Sequence, residues 1–282
     1  MKTVTLMDGT RIPALGQGTW YMGEDPLKHD SEIETLRWGI ENGMTLIDSA
    51  EMYGEGAAEE LVGQAIQGYD RSSLFLVSKV YPWNADRDHI FSSCEQSLKR
   101  MKTSSLDLYL LHWRGNVPLA ETVDCMEELV DQGMIKRWGV SNFDTLDMKE
   151  LMDAGGYNCM CDQVLYHLGS RGVEYDLLPW LKKNGMALMS YCPLAHSGAL
   201  RRKIASSPVV QKVADAHQAT AAQVMLAFVI HDSSVFAVPK ASSLEHVKEN
   251  CGAMDLRLSD EEYAALSSTF PAPTHKVELD ML

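Results

Sequence analysis

Short apolar runs alternate with amphipathic stretches along most of the chain. The runs are LGQGT (15–19), MTLIDS (44–49), LFLVSK (74–79), LDLYLLH (106–112), IKRWGVS (135–141), CDQV (161–164), MALMSY (186–191) and VFAVPK (235–240). Each has the length and content of a strand, and between them lie stretches with apolar positions at helical spacing, among them SEIETLRWGIENG, AETVDCMEELVDQG and TAAQVMLAFVIHD. Several of these stretches end in glycine, as helix C-termini often do. Alternation of strand and helix implies parallel pairing with right-handed crossovers, and eight such units are the number that closes a (β/α)8 TIM barrel. No Pro-, Ser- or Gly-rich linker interrupts the series, so residues 1–282 read as a single domain. Ahead of the first run, TVTLMDGTRIPAL alternates around Asp8-Gly9 and predicts an N-terminal β-hairpin with a two-residue turn. An open doubly wound sheet is the weaker reading, because GQGTWYMG lacks the third glycine of a dinucleotide fingerprint and no suitably placed acid follows it.

Composition narrows the partners. With 282 residues and 45% hydrophobic content the chain can bury a large core. A formal charge of −14 disfavours nucleic acid and anionic membrane, which leaves a small molecule, any phosphate being held by a local positive site. The amino terminus lacks the pattern of a signal peptide and no stretch is long and apolar enough to span a bilayer, so a cytoplasmic protein is expected. The six cysteines lack paired CxxC spacing and read as reduced thiols; Cys159 and Cys161 form a CxC pair, and no metal is expected there. The sixteen methionines are scattered through apolar segments as core filler.

In a barrel, chemistry sits at the C-terminal ends of the strands. The second strand is expected to end at Asp48 with Tyr53 in the loop beyond it, the third at Lys79 and the fourth at His112. Taken singly, Asp48 is explained as a turn cap, Lys79 as a solvent-reaching lysine and His112 as a core histidine. Together they bring an acid, an ammonium, an imidazole and a phenol to one mouth. A phenol titrates near ~10, and a neighbouring ammonium is expected to lower that value. Asp48 would keep a buried Lys79 paired. His112 would orient a carbonyl oxygen, and Tyr53 would protonate it.

The segments IDSAEMYGEGAAEELVG, the lysine closing LFLVSK, LDLYLLHW, GVSN, the glutamine of CDQVLYH, SYCPL and VPKASSLEHVKEN resemble, in that order, the aldo-keto reductase superfamily. The resemblance runs from about Gly16 to Asn250 and is strongest to bacterial methylglyoxal and 2,5-diketogluconate reductase-type members. It implies a (β/α)8 barrel and hydride transfer from NADPH to a carbonyl without metal or flavin, with Asp48, Tyr53, Lys79 and His112 as the catalytic tetrad. It further implies that Ser141, Asn142 and Gln163 bind the nicotinamide carboxamide, that Tyr191 stacks on its ring, and that Gly18, Thr19 and Trp20 line the mouth. The loop CPLAHSGALRRK, with Cys192, Pro193 and Leu194, would cross the pyrophosphate. Arg201, Arg202 and Lys203 fit a solvated edge or a phosphate clamp equally. Lys240, Ser242, His246, Glu249 and Asn250 would form the adenosine end.

Where many relatives place an arginine against the adenosine 2′-phosphate this chain has His246, which lacks the bidentate fork. With Lys240 retained, NADPH is favoured and NADH remains possible. Trp20, Tyr21, Tyr81, Trp83 and Trp113 follow strand ends and form a candidate substrate rim. The final stretch PAPTHKVELDML is compatible with a free tail or with a segment folded across the mouth. The leading function is reduction of small aldehydes, ketones or α-dicarbonyls by a monomer. The alternatives are a nicotinamide-binding redox-sensing partner subunit and a Schiff-base aldolase using Lys79.

Overall fold

A computed structural model describes residues 1–282. The hairpin pairs β1 (Thr3–Thr5) with β2 (Arg11–Pro13), Thr5 opposite Arg11. Its turn differs from the two-residue expectation. Leu6 N–H donates to Thr10 O, Gly9 N–H donates to Leu6 O, and Gly9 lies at φ 85°, which makes Met7 to Gly9 a three-residue loop with glycine at its left-handed position. Buried Val4, Leu6 and Ile12 seat the hairpin under the barrel. Its turn is tied to the start of a barrel strand by the Asp8–Arg137 ion pair.

Eight parallel strands follow, one at each predicted run, with β5 and β8 each extending one residue past theirs: β3 (Gln17–Gly18), β4 (Leu46–Asp48), β5 (Phe75–Val80), β6 (Leu108–Leu111), β7 (Trp138–Ser141), β8 (Cys161–Leu165), β9 (Ala187–Tyr191) and β10 (Val235–Ala237). Each pairs with its sequence neighbour. The ring closes between first and last, where Gly16 N–H donates to Ala237 O, Ala237 N–H to Ala14 O, and Gly18 N–H to Pro239 O. Gly18 is required at this seam, since a Cβ there would lie 2.7 Å from Val238 O. The chain is a (β/α)8 barrel, as the alternation predicts.

The strands are buried on both faces because helices cover their outer side. β5 shows the alternation: Lys79 points into the barrel, while Ser78 points outward and donates to Glu59 on the helix Ala57–Ala65, which in turn pairs with Arg100 at 2.6 Å. Three helices lie beyond those the periodicity predicts as separate elements: Gly198–Ala205, Pro208–Ala216 and Asp260–Thr269. The last starts at a Ser259/Glu262 capping box, a signal present in the sequence, and packs Tyr263 against Phe228 and His231.

Candidate active site

The C-terminal ends of β4, β5, β6 and their following loops bring the four predicted residues together. Lys79 is fully buried, and its Nζ donates to Asp48 (2.9 Å), to the carbonyl of Ser49 (2.7 Å) and to the hydroxyl of Tyr53 (3.0 Å). All three ammonium protons are therefore engaged. A Schiff-base role for Lys79, which needs a free neutral amine, is not favoured by this arrangement. Asp48 also accepts from Gln163 Nε2 (3.0 Å), and Thr19 Oγ1 donates to the Asp48 backbone carbonyl (2.9 Å). The ring of His112 meets that of Tyr53 edge-on, with centroids 5.8 Å apart.

Burial sets the protonation tendencies here. It pushes the Asp48 carboxyl up and the Lys79 ammonium down, and their mutual attraction opposes both shifts. The Tyr53 phenol is pushed well above its ordinary range, by burial first and then by the charge of Asp48. The expectation that Lys79 would lower it is not met: burial outweighs the ammonium, and the Asp48 carboxylate paired with Lys79 at 2.9 Å acts against it. His112 is held well below its ordinary value by burial and by Lys79, so its imidazole is neutral at physiological pH.

These groups open on a cavity of about 340 Å³, within the range of small-ligand sites. Gly18, Thr19, Trp20, Trp113, Ser141, Asn142, Gln163, Tyr191, Cys192 and Lys240 line it with Asp48, Tyr53 and His112. Asn142 stands at φ 59°, and its side chain bridges three strand ends: Nδ2 donates to His112 O (3.2 Å) and to Ser141 Oγ, and Oδ1 accepts from the Tyr191 hydroxyl (2.9 Å). Ser141 Oγ donates to Gln163 O at 2.8 Å.

Other predicted residues lie off the cavity wall. Pro193 and Leu194 are buried in the loop after β9. Ser242, His246, Glu249 and buried Asn250 sit on and before the helix Leu244–Gly252, His246 beside Glu249 at 3.6 Å. Arg202 and Lys203 are exposed and Arg201 half-buried on the helix Gly198–Ala205. Of the aromatic rim, Trp20 and Trp113 face the cavity. Exposed Tyr21 stacks behind Trp20 at 4.6 Å, and exposed Trp83 stacks on Tyr81 at 4.3 Å with its edge toward Trp113. Tyr21, Tyr81 and Trp83 are not among the residues lining the cavity.

Met52 and Val238, which sequence reasoning missed, also line the cavity, as do Met281 and Leu282 of the final stretch whose placement the sequence leaves open. The tail folds across the mouth rather than hanging free: Lys276 pairs with Asp144 at 2.8 Å, Ser170 donates to Asp280, and the last two residues reach the cavity.

The aldo/keto reductase family profile matches residues 14–269. The chain belongs to this family. Among its relatives it is 51% identical to methylglyoxal reductase YeaE of Escherichia coli (strain K12), over 100% of this chain and 99% of that one. It is 31% identical to glyoxal reductase of Bacillus subtilis (strain 168), covering 92% and 90%. An aldo/keto reductase of Klebsiella pneumoniae, solved in complex with NADP and acetate, superposes with a TM-score of 0.96 at 51% identity, covering 100% and 99%. As a member of this family the chain is an NAD(P)H-dependent oxidoreductase. No helix is long and apolar enough to cross a membrane.

Proposed function

We propose that this aldo/keto reductase reduces small α-dicarbonyls and aldehydes such as methylglyoxal with NADPH, Tyr53 being the proton donor. The cavity lining suits the cofactor: the amide side chains of Asn142 and Gln163 and the hydroxyl of Ser141 are a polar set matched to a carboxamide, and Tyr191, bonded through its hydroxyl to Asn142, adds an aromatic face matched to a ring. When bound there, the nicotinamide supplies the hydride for the carbonyl carbon. Lys240 on the cavity rim, with Ser242 and His246 beyond it, would meet the adenosine phosphate.

The observation that carries the reading is the Lys79–Tyr53 hydrogen bond at 3.0 Å in a fully buried setting. Because the ammonium donates to the phenol oxygen, the phenol's own proton is directed away from Lys79. The phenol stays protonated at neutral pH, held there by burial and Asp48, and so is present as an acid. As negative charge grows on the substrate oxygen, the O–H bond of Tyr53 breaks toward it, and the ammonium already in contact stabilises the nascent phenolate. Neutral His112 donates to the same substrate oxygen and fixes its position. Met52, Trp20 and Trp113 give the pocket apolar walls that limit water around the reacting carbonyl.

Tyr53→Phe tests this. Loss of nicotinamide absorbance with methylglyoxal as substrate is expected to slow by about 10²- to 10⁴-fold in kcat, with NADPH affinity within about twofold of wild type. Turnover near the wild-type rate would remove Tyr53 from the role.

A further inference from the structure

Gln163 on β8 points into the barrel, so its neighbour Asp162 points outward into the layer between strands and helices, where aliphatic side chains are the rule. Asp162 is completely buried and makes no ion pair; its Oδ2 has no hydrogen-bond partner. Its one hydrogen bond is through Oδ1, which accepts from the backbone N–H of Phe143 at 3.4 Å. A buried carboxyl with one partner costs far more than a valine there would.

That one partner is the residue after Asn142, the non-glycine position at φ 59° whose amide joins the ends of β6, β7 and β9. The strand ladder holds the turn from one side, with Asn142 N–H donating to Gln163 O at 2.9 Å. Asp162 holds it from the other. Phe143 is itself buried, so without the carboxyl its N–H would be left unpaired, and the turn would be free to relax out of the left-handed conformation.

We propose that Asp162 is a positioning residue for the cofactor site: its carboxyl locks the Asn142–Phe143 turn and thereby presents Ser141 and Asn142 to the cavity. This rests on the NADPH-dependent reading above. Desolvation pushes the Asp162 carboxyl well above its ordinary range, consistent with a neutral acid acting through its acceptor oxygen rather than its charge.

The test titrates the full chain calorimetrically with NADPH and with 2′,5′-ADP, which carries the adenosine end and no nicotinamide. Asp162→Leu, which keeps the branched shape without an acceptor, is expected to weaken NADPH about tenfold while 2′,5′-ADP stays within about twofold of wild type. Asp162→Asn keeps an acceptor oxygen and is expected to restore NADPH binding to within about twofold of wild type. Should D162L not accumulate as folded protein, Asp162→Cys carries the same expectation as a small buried side chain and poor acceptor. The proposal is overturned if D162L binds NADPH like wild type, if both ligands weaken equally, or if D162N is as weak as D162L. Wild-type protein that fails to bind NADPH would remove the reductase reading and this inference together, whereas a normal wild type with an unaffected D162L removes only the inference.

Discussion

The two ends of the cavity are built differently. Around Asp48 and Lys79 the functional groups are buried, lie on or beside strand ends, and are cross-bonded: one ammonium, two carboxylate oxygens, a phenol and a glutamine amide form a closed set. At the other end Lys240 is exposed, and His246 lies on the solvent side of the helix Leu244–Gly252 with only a 3.6 Å contact to Glu249. The first end is organised before any ligand arrives. The second is not cross-bonded, so under the proposed function cofactor choice would fall to solvent-facing side chains while the chemistry is held by the fold.

This contrast can be broken from the buried side. Lys79→Met leaves the Asp48 carboxylate buried without its cation and is expected to cost about 3–5 kcal/mol of stability, read as a lower denaturation midpoint. A loss below about 1 kcal/mol would mean the set is not held together by that pair. Acid sharpens the picture next. His167 is held down to about 4, by burial first, and accepts from Gly169 N–H at 3.0 Å. A histidine depressed in the folded state is protonated first in the unfolded chain, so its stabilising share is complete above ~6.5 and is lost as pH falls from there toward about 4. His112 acts in the same direction. His167→Asn, which keeps an acceptor for Gly169, is expected to recover up to about 3 kcal/mol of that acid loss in denaturant titrations at pH 4 and 7. Parallel curves for variant and wild type would place the acid sensitivity elsewhere. The smallest effect belongs to the open end. His246→Arg supplies a bidentate partner for a 2′-phosphate and is expected to raise the NADPH-to-NADH affinity ratio by about fivefold with kcat unchanged. An unchanged ratio would mean that the adenosine 2′-position does not lie near residue 246.

How much of this was legible follows the same division. Asp48, Lys79 and His112 stand out in the sequence because each ends an apolar run, and the eight runs themselves disclose the barrel. The cavity's apolar wall is harder to see. Met52 and Val238 look like ordinary core residues, and only closure of the ring turns them toward a space rather than a neighbour. Met281 and Leu282 arrive through long-range pairs, Lys276 to Asp144 and Ser170 to Asp280, that no local pattern encodes. The protonation of Tyr53 is hidden from the sequence for a related reason. Proximity of an ammonium was visible in the pattern, but the depth of burial and the carboxylate that offsets the ammonium depend on the assembled site.

Gly18 sits at the seam where the first and last strands close the ring and also lines the cavity. Anyone wishing to reshape the enzyme for bulkier or smaller carbonyls therefore has no freedom at that position: the first carbon added there would prise β3 from the Val238–Lys240 segment before it altered what fits inside. Redesign has to come from the rim, through Met52, Trp20 and the closing residues of the tail.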